Sequence, residues 1–153
     1  MTYGWAILAL VIIIGILVST GALSPTYLIS EECSLGSNLP CTFALYNTGD
    51  TTAISLGLQN GFAYKINVTK VQVFSTADSS AFTGFVVPET IESGASMNFT
   101  GKMDRQLAPN SIARFYANIT YSSCAPELAA PGQECSSSQH TIVGRITAKV
   151  IPG

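Results

Sequence analysis

Residues 111–123 read SIARFYANITYSS, and apolar side chains return at every second position of this stretch. One phase consists of Phe115, Ala117, Ile119 and Tyr121, and the other of Tyr116, Asn118 and Thr120. Because successive side chains of a strand point to opposite faces of a sheet, the alternation predicts a strand with one buried face. The stretch HTIVGRITAKVIP, residues 140–152, predicts a second such strand. Its inward phase is Ile142, Ile146, Ala148 and Val150, and its outward phase is Arg145, Thr147 and Lys149.

A third strand is predicted within FAYKINVTKVQVFS, where the apolar residues change phase. Ile66 and Val68 share one phase, whereas Val71 and Val73 share the other. A β-bulge near residues 69–70 would keep both pairs on the inward face, because a bulge inserts one extra residue into a strand. The sequence therefore predicts an irregular strand at this point.

Turn signals predict how the strands connect. The pair Asn60-Gly61 follows AISLGLQ and is typical of a two-residue hairpin turn, so it predicts a hairpin between that stretch and the bulged strand. About seven strands fit into residues 25–153, and no helical period appears after Leu23. We therefore expect an extracellular antiparallel β-sandwich of the immunoglobulin-like type over residues 25–153.

The opening stretch, MTYGWAILALVIIIGILVSTGALSP, has a different character. The twenty residues from Gly4 to Leu23 carry no charge, and a helix of that length spans roughly 30 Å, the thickness of a bilayer core. Its large apolar residues point in every direction, which is typical of a helix inside lipid or inside an assembly. Pro25 predicts the end of the helix. The expected fold class is therefore α+β, with a long N-terminal hydrophobic helix over residues 1–24 followed by the β-sandwich.

A removable secretory signal peptide is the rival interpretation of this stretch. Such a peptide has a basic start, a shorter apolar run and a small-x-small cleavage site. Here no Lys or Arg precedes the run. Basic residues normally orient a first membrane helix. We therefore expect that a basic leader once lay upstream and was removed, so that the apolar helix is retained.

The opening residues resemble the N-terminal segment of archaeal type IV pilins, in which YGWAIL leads into an Ile/Val/Leu helix that ends near Ser-Pro. The resemblance covers about 25 of the 153 residues. It implies processing by a prepilin peptidase, assembly by pilus machinery and packing of the helices in the core of an extracellular filament. Many family members carry a Glu in the first turns of the helix, whereas residues 1–30 of this chain contain no acid.

The helix itself carries features that favour assembly. Gly4, Gly15 and Ala22 are 11 and 18 residues apart, which at about 100° per residue aligns them within about 20° on one side of the helix. Small residues let apolar helices approach closely, although such a stripe can also arise by chance. The predicted assembly residues are Gly4, Trp5, Leu8, Val11, Ile13, Gly15, Val18 and Ala22.

Four cysteines, Cys33, Cys41, Cys124 and Cys135, lie in two local pairs. The spacings lack the close Cys-x-x-Cys pair of a zinc site, and the loops between the partners are rich in turn residues. We expect two local disulfides, Cys33 to Cys41 and Cys124 to Cys135, and hence an oxidising exterior. The alternative is four free buried thiols.

Three Asn-x-Thr sequons begin at Asn67, Asn98 and Asn118. Each asparagine alternates with inward apolar residues, so all three should face solvent on strands. Only 10% of the residues are charged. Glycans at these sites would supply the hydration that the sparse charges do not. The alternative is that the asparagines are unmodified and belong to ordinary polar strand faces.

Neither a catalytic motif nor a cofactor motif appears. The single histidine, His140, follows a Ser-rich loop, and acid pairs such as Glu31-Glu32 and Glu89/Glu92 have flanks typical of solvated turns. Seven Lys and Arg residues are scattered in a chain of net charge -2, which gives no footprint for nucleic acid. We expect no enzyme activity, no cofactor, no metal and no nucleic-acid partner.

The resulting hypothesis is a structural subunit that sits in the membrane before assembly and then polymerises with copies of itself into a cell-surface adhesion filament. A monomeric surface receptor or binding domain held by an uncleaved anchor is one alternative. A subunit of an archaeal flagellar-type filament is another, and a secreted hydrolase is the third. The lone histidine argues against the hydrolase.

Overall fold

A computed structural model describes residues 2–21 and 30–153. Within these ranges the chain is mostly β, with one helix and eight strands. The helix is α1 (Gly4–Ser19), and the strands are β1 (Glu32–Ser34), β2 (Cys41–Thr48), β3 (Thr51–Gln59), β4 (Ile66–Ser75), β5 (Glu89–Ile91), β6 (Ser96–Met103), β7 (Ile112–Ser123) and β8 (Gln139–Lys149). The chain divides into two compact units, Met1–Ser30 and Glu31–Gly153. The expected boundary at residues 24–25 lies outside the described residues.

The predicted fold class, α+β with a long N-terminal hydrophobic helix before an immunoglobulin-like sandwich, is wrong. The chain is mostly β, built of two antiparallel sheets, and its helix has 16 residues instead of the expected twenty or more. No helix in residues 2–21 and 30–153 combines the length and the apolar character needed to cross a membrane. The expectation of a membrane-spanning segment is corrected accordingly.

Local backbone chemistry explains why α1 ends at Ser19. Gly21 has a φ of +71°, the left-handed conformation that glycine adopts most easily just after a helix. The N–H of Thr20 and the hydroxyl of Ser19 both donate to the carbonyl of Ile16, each at 2.9 Å. The Thr20 bond is still an ordinary helical bond, whereas the N–H of Gly21 donates to the Val18 carbonyl, only three residues back, at 3.2 Å, which tightens the last turn. The Ser-Thr-Gly stretch, and not the proline, decides where α1 ends.

The strands form two sheets. The five-stranded sheet has the order β1-β8-β7-β4-β5 and the three-stranded sheet the order β2-β3-β6, and all neighbouring strands are antiparallel. Inward side chains of both sheets form one hydrophobic core. The predicted inward phases of the two opening stretches are confirmed by the burial of Phe115, Ala117, Ile119 and Tyr121 on β7 and of Ile146, Ala148 and Val150 on and just after β8.

The predicted bulge in β4 is confirmed. Val68 lies opposite Tyr121 on β7, and the next paired residue is Lys70 opposite Thr120, so Thr69 has no partner in the ladder. The side chains on both sides of the bulge, Ile66, Val68, Val71 and Val73, are all buried. One extra residue therefore brings two apolar pairs of opposite phase to the same face.

The predicted hairpin at Asn60-Gly61 is wrong. β3 pairs with β2 and β6, whereas β4 pairs with β5 and β7, so this turn carries the chain from one sheet to the other. The hairpin of this region instead joins β2 to β3 through Gly49 and Asp50. Gly49 has a φ of +59°, which suits the first position of a two-residue hairpin loop.

The end of the chain pairs within its own unit. β8 lies between β7 and β1, and Ile151 beyond it bridges to Tyr46 on β2. The N–H of Asn47 donates to the Ile151 carbonyl at 3.0 Å, and the N–H of Ile151 donates to the Leu45 carbonyl at 2.9 Å. These bonds cover part of an exposed sheet edge, where unpaired backbone groups favour aggregation.

Candidate assembly helix and outer surface

The apolar surface of α1 is its most unusual feature. No residue of α1 is buried in the described structure, and apolar side chains surround the helix axis without a polar stripe. The exposed fractions of its large apolar side chains run from 39% at Leu17 to 79% at Trp5. The large apolar residues of α1 are Trp5, Ile7, Leu8, Leu10, Val11, Ile12, Ile13, Ile14, Ile16, Leu17 and Val18. Soluble proteins rarely leave contiguous apolar surface of this extent uncovered.

The structure places seven of the eight predicted assembly residues on α1. These are Gly4, Trp5, Leu8, Val11, Ile13, Gly15 and Val18, and all are exposed. Ala22 lies outside the described residues. A Cβ added at Gly4 or at Gly15 would meet nothing within 4 Å, so the surface beside both glycines is open. Their role in assembly remains a prediction.

The two predicted disulfides are present. Cys33 on β1 is bonded to Cys41 on β2, and Cys124 is bonded to Cys135. None of the four cysteines is free. The first bond joins the edge strands of the two sheets, and the second closes the loop that follows β7. Disulfides of this kind persist in oxidising compartments, which favours an extracellular setting.

The three sequon asparagines differ in accessibility. Asn98 on β6 is exposed and lies opposite Gly57 on β3, whose missing side chain leaves room for its amide. Asn67 on β4 is half-buried. Asn118 on β7 is half-buried too, and its Oδ1 is buried without a hydrogen-bond partner among the described residues. The expectation that all three face solvent therefore fits Asn98 best, and modification of any of them remains a prediction.

The outer face of the five-stranded sheet carries a row of side chains that the sequence analysis did not single out. The register places Phe74, Tyr116 and Arg145 side by side on β4, β7 and β8. The Phe74 and Tyr116 ring centroids are 5.8 Å apart, and the Arg145 Cζ lies 5.9 Å from the Tyr116 centroid. Outward Arg114 and Thr147 flank this row. The outward phases of the two opening stretches contain Tyr116, Arg145 and Thr147, and Phe74 lies in the bulged strand, but only the register shows that these side chains meet.

Acidic groups and the histidine do not converge on a reactive centre in the described ranges. His140 is exposed and packs 5.7 Å from the ring of Tyr121, whose pKa is raised by burial. Glu31 accepts a hydrogen bond from the backbone N–H of Lys149 at 2.9 Å. No group of three or more His, Cys, Asp or Glu side chains that could hold a metal occurs in residues 2–21 and 30–153. The absence of enzyme activity remains a prediction.

Two ion pairs of the described part of the chain hold loops in place. The Lys65 Nζ lies 2.8 Å from Glu134 Oε1, and this hydrogen bond raises the pKa of Lys65 and lowers the pKa of Glu134. In the loop after β4, hydrogen bonds from Ser80 lower the pKa of Asp78, which also pairs with Arg105. Both carboxyl groups stay ionised at neutral pH, and their contribution to stability disappears as the pH falls through their lowered pKa values.

Comparison with known proteins identifies no family for this chain. No protein-family model matches it, and a search of curated proteins gives no significant match.

Proposed function

We propose that this chain is a structural subunit, of the archaeal type IV pilin kind, that polymerises through α1 into an extracellular filament used for adhesion. The observation that carries the proposal is the helix that is apolar on all sides and has no buried residue. A helix with one apolar stripe needs one partner surface, whereas α1 needs partners all round its axis. Copies of the same helix packed side by side provide such surroundings.

The size of the apolar surface is sufficient to drive assembly. Fully burying one large apolar side chain contributes roughly 1.5 kcal/mol or more, and α1 carries eleven of them at 39% exposure or greater. Because these side chains are only 39% to 79% exposed, burying what remains would contribute on the order of 10 kcal/mol per subunit before the entropy of association is subtracted. Gly4 and Gly15 add two places where neighbouring backbones can approach.

The β unit has the properties of an outer wall. Two disulfides close segments of Glu31–Gly153, and the exposed sequon at Asn98 offers a place for a glycan. A surface with only 10% charged residues gains hydration from sugars. The resemblance of the opening residues to archaeal pilins points to the same role, with a prepilin peptidase and pilus machinery as further partners.

The test is a charge placed at the centre of α1. Ile13→Asp puts a carboxylate into the proposed core, where an unpaired charge is costly. We expect this variant to lose filaments in electron micrographs and to stay out of the pelleted fraction on ultracentrifugation. Leu128→Asp, at a position 59% exposed in the β unit, is the matched control and should assemble normally.

The two variants also separate assembly from folding. Ile13 belongs to the unit Met1–Ser30, so thermal melting of the β unit, Glu31–Gly153, should be the same in both variants. Filaments of normal length and number from Ile13→Asp would contradict assembly through α1.

A further inference from the structure

A depression on the outer face of the five-stranded sheet combines two cations with an aromatic ring. Its volume is about 260 Å³, and it is lined by Thr76, Arg114, Tyr116, Arg145 and Thr147. We infer that this depression, called here the arginine pocket, binds one acidic sugar residue of an extracellular polysaccharide. Four of these residues come from β7 and β8, and Thr76 directly follows β4, where its N–H donates to the Arg114 carbonyl at 3.1 Å, so the sheet fixes their spacing.

The charges of this face favour an anion. Four of the seven Lys and Arg residues of a chain with net charge -2 are exposed on this outer face, namely Lys70, Arg114, Arg145 and Lys149. Arg114 lies opposite Thr147, and Arg145 lies opposite Tyr116, so the two arginines are diagonal neighbours. Like charges at this spacing repel each other unless an anion lies between them.

Neither arginine is neutralised by the rest of the described chain. The ion pairs of residues 2–21 and 30–153 use Lys65 and Arg105, and no carboxylate lies within ion-pair distance of Arg114 or Arg145. Glu32 shares this face at the edge strand β1, opposite Thr147. A guanidinium binds a carboxylate through two parallel hydrogen bonds, so each arginine has unused capacity for an acidic ligand.

The other lining groups favour a sugar as the carrier of that acid. Tyr116 is half-buried beside Phe74, which fixes its ring. The electron-rich face of an aromatic ring attracts the C–H groups that a sugar ring presents on one side. The Thr76 hydroxyl donates to the Arg114 carbonyl at 3.2 Å and keeps its oxygen as an acceptor, and Thr147 adds a second hydroxyl, so both can hydrogen-bond to sugar hydroxyls. A volume of about 260 Å³ lies below the roughly 300 Å³ at which pockets for drug-sized ligands begin, so one sugar residue suits it.

A second depression gives a useful contrast. It measures about 420 Å³ and is lined in part by Lys102 and Asp104, whose opposite charges do not select an anion. All residues of the arginine pocket belong to the unit Glu31–Gly153, whereas the proposed assembly surface is α1. A variant can therefore lose sugar binding and still assemble, and another can lose assembly and still bind the sugar.

The test uses calorimetric titration of the full chain, dispersed in mild detergent, with a glucuronate-containing tetrasaccharide. The same tetrasaccharide with its carboxyl groups reduced to alcohols is the neutral probe. We expect binding of the acidic probe to exceed that of the neutral probe by about tenfold, and Arg114→Gln or Arg145→Gln to remove about the same factor. Lys102→Gln removes a cation from the other sheet and should leave the affinity unchanged.

Three results would overturn the inference. They are absence of a titration signal with the acidic probe, equal binding of the neutral probe, and unchanged affinity in both arginine variants. A single-stranded oligothymidylate that binds more tightly than the sugar, and loses affinity in the same variants, would assign the face to nucleic acid instead. Thermal melting of each variant shows whether an effect arises from unfolding.

Discussion

Asn60 shows how a single polar side chain holds the passage between the two sheets. It is completely buried, its amide donates to the carbonyls of Tyr64 and Ile91 at 2.9 Å each, and its Oδ1 accepts from the N–H of Phe62 at 2.9 Å. Asn60→Ala leaves these groups unpaired, so we expect the free energy of unfolding to fall by about 2 to 4 kcal/mol in urea denaturation. Gln59→Ala, at the exposed neighbouring position, should change it by less than about 0.5 kcal/mol. Equal effects of the two substitutions would contradict this role.

Gly144 on β8 is required by a close approach of two segments. A Cβ at this position would lie 2.2 Å from the carbonyl oxygen of Ser34 and 2.6 Å from Leu35 Cδ2. Gly144→Ala must push these atoms apart, and we expect a loss of about 1 to 3 kcal/mol in unfolding free energy, measured by thermal melting. Val143→Ala, on the exposed face of the same strand, is the control. A melting temperature of Gly144→Ala at or above that of the control would refute this explanation.

At the residue scale, the sequence predicts which face a side chain takes better than it predicts what the side chain contacts. The inward phases of β7 and β8 follow from alternation alone, because the pleat has a period of two. The role of Asn60 could not be predicted, since Asn-Gly is a local turn signal whereas its partner Ile91 lies 31 residues away. The meeting of Tyr116 and Arg145 depends in the same way on register, which a single strand does not contain.

At the scale of elements, the bulge of β4 offers the strongest test of the rule that alternating apolar residues share one face of a strand. Deleting Thr69 removes the extra residue, so Lys70 follows Val68 in a regular alternation, and Val71 and Val73 stay inward with the same partners on β7. No valine loses its burial, so we expect the deletion to lower the free energy of unfolding in urea by less than the roughly 1.5 kcal/mol that exposing one valine would cost. Thr69→Ser keeps the backbone count and should retain most of the stability. Loss of cooperative unfolding in the deletion variant, with Thr69→Ser still stable, would disprove the assignment of Thr69 as the extra residue.

Two element boundaries depend on glycines whose conformation the hydrophobic pattern does not report. Gly21 ends α1 before the expected proline, and Gly49 turns a hairpin between β2 and β3, whereas the hairpin expected at Asn60-Gly61 between β3 and β4 does not form. Both glycines have positive φ values, and both stand where a local signal was available in the sequence. That the hairpin turn forms at Gly49-Asp50 and not at Asn60-Gly61 was harder to predict, because it depends on which sheet each strand joins.

For the whole molecule, low charge and unequal sequon accessibility lead to a prediction about glycosylation. Asn98 is exposed, whereas one end of the Asn118 amide is buried. We therefore expect glycopeptide mass spectrometry of the protein from its native cells to find higher occupancy at Asn98 than at Asn118. Thr100→Val, which removes the hydroxyl of the Asn98 sequon and keeps its shape, should abolish that modification. Higher occupancy at Asn118 than at Asn98 would contradict the prediction.

For the whole molecule, the strands and the disulfides could be predicted from the sequence, whereas the fold class could not. Short-range spacing was enough to pair Cys33 with Cys41 and Cys124 with Cys135. The helix was expected to be longer because hydropathy reports where a chain is apolar and not where its backbone leaves the helical conformation. Partner strands, sheet order and the arginine pocket are properties of tertiary pairing.

The most direct test of assembly through α1 is cryo-electron microscopy of material sheared from cells that make this chain, with mass spectrometry of the same fraction. The proposal predicts thin filaments built of this chain, with its apolar N-terminal residues retained and the α1 helices packed together along the filament axis. A chain recovered only as monomers, with α1 covered by something other than its own copies, would contradict it.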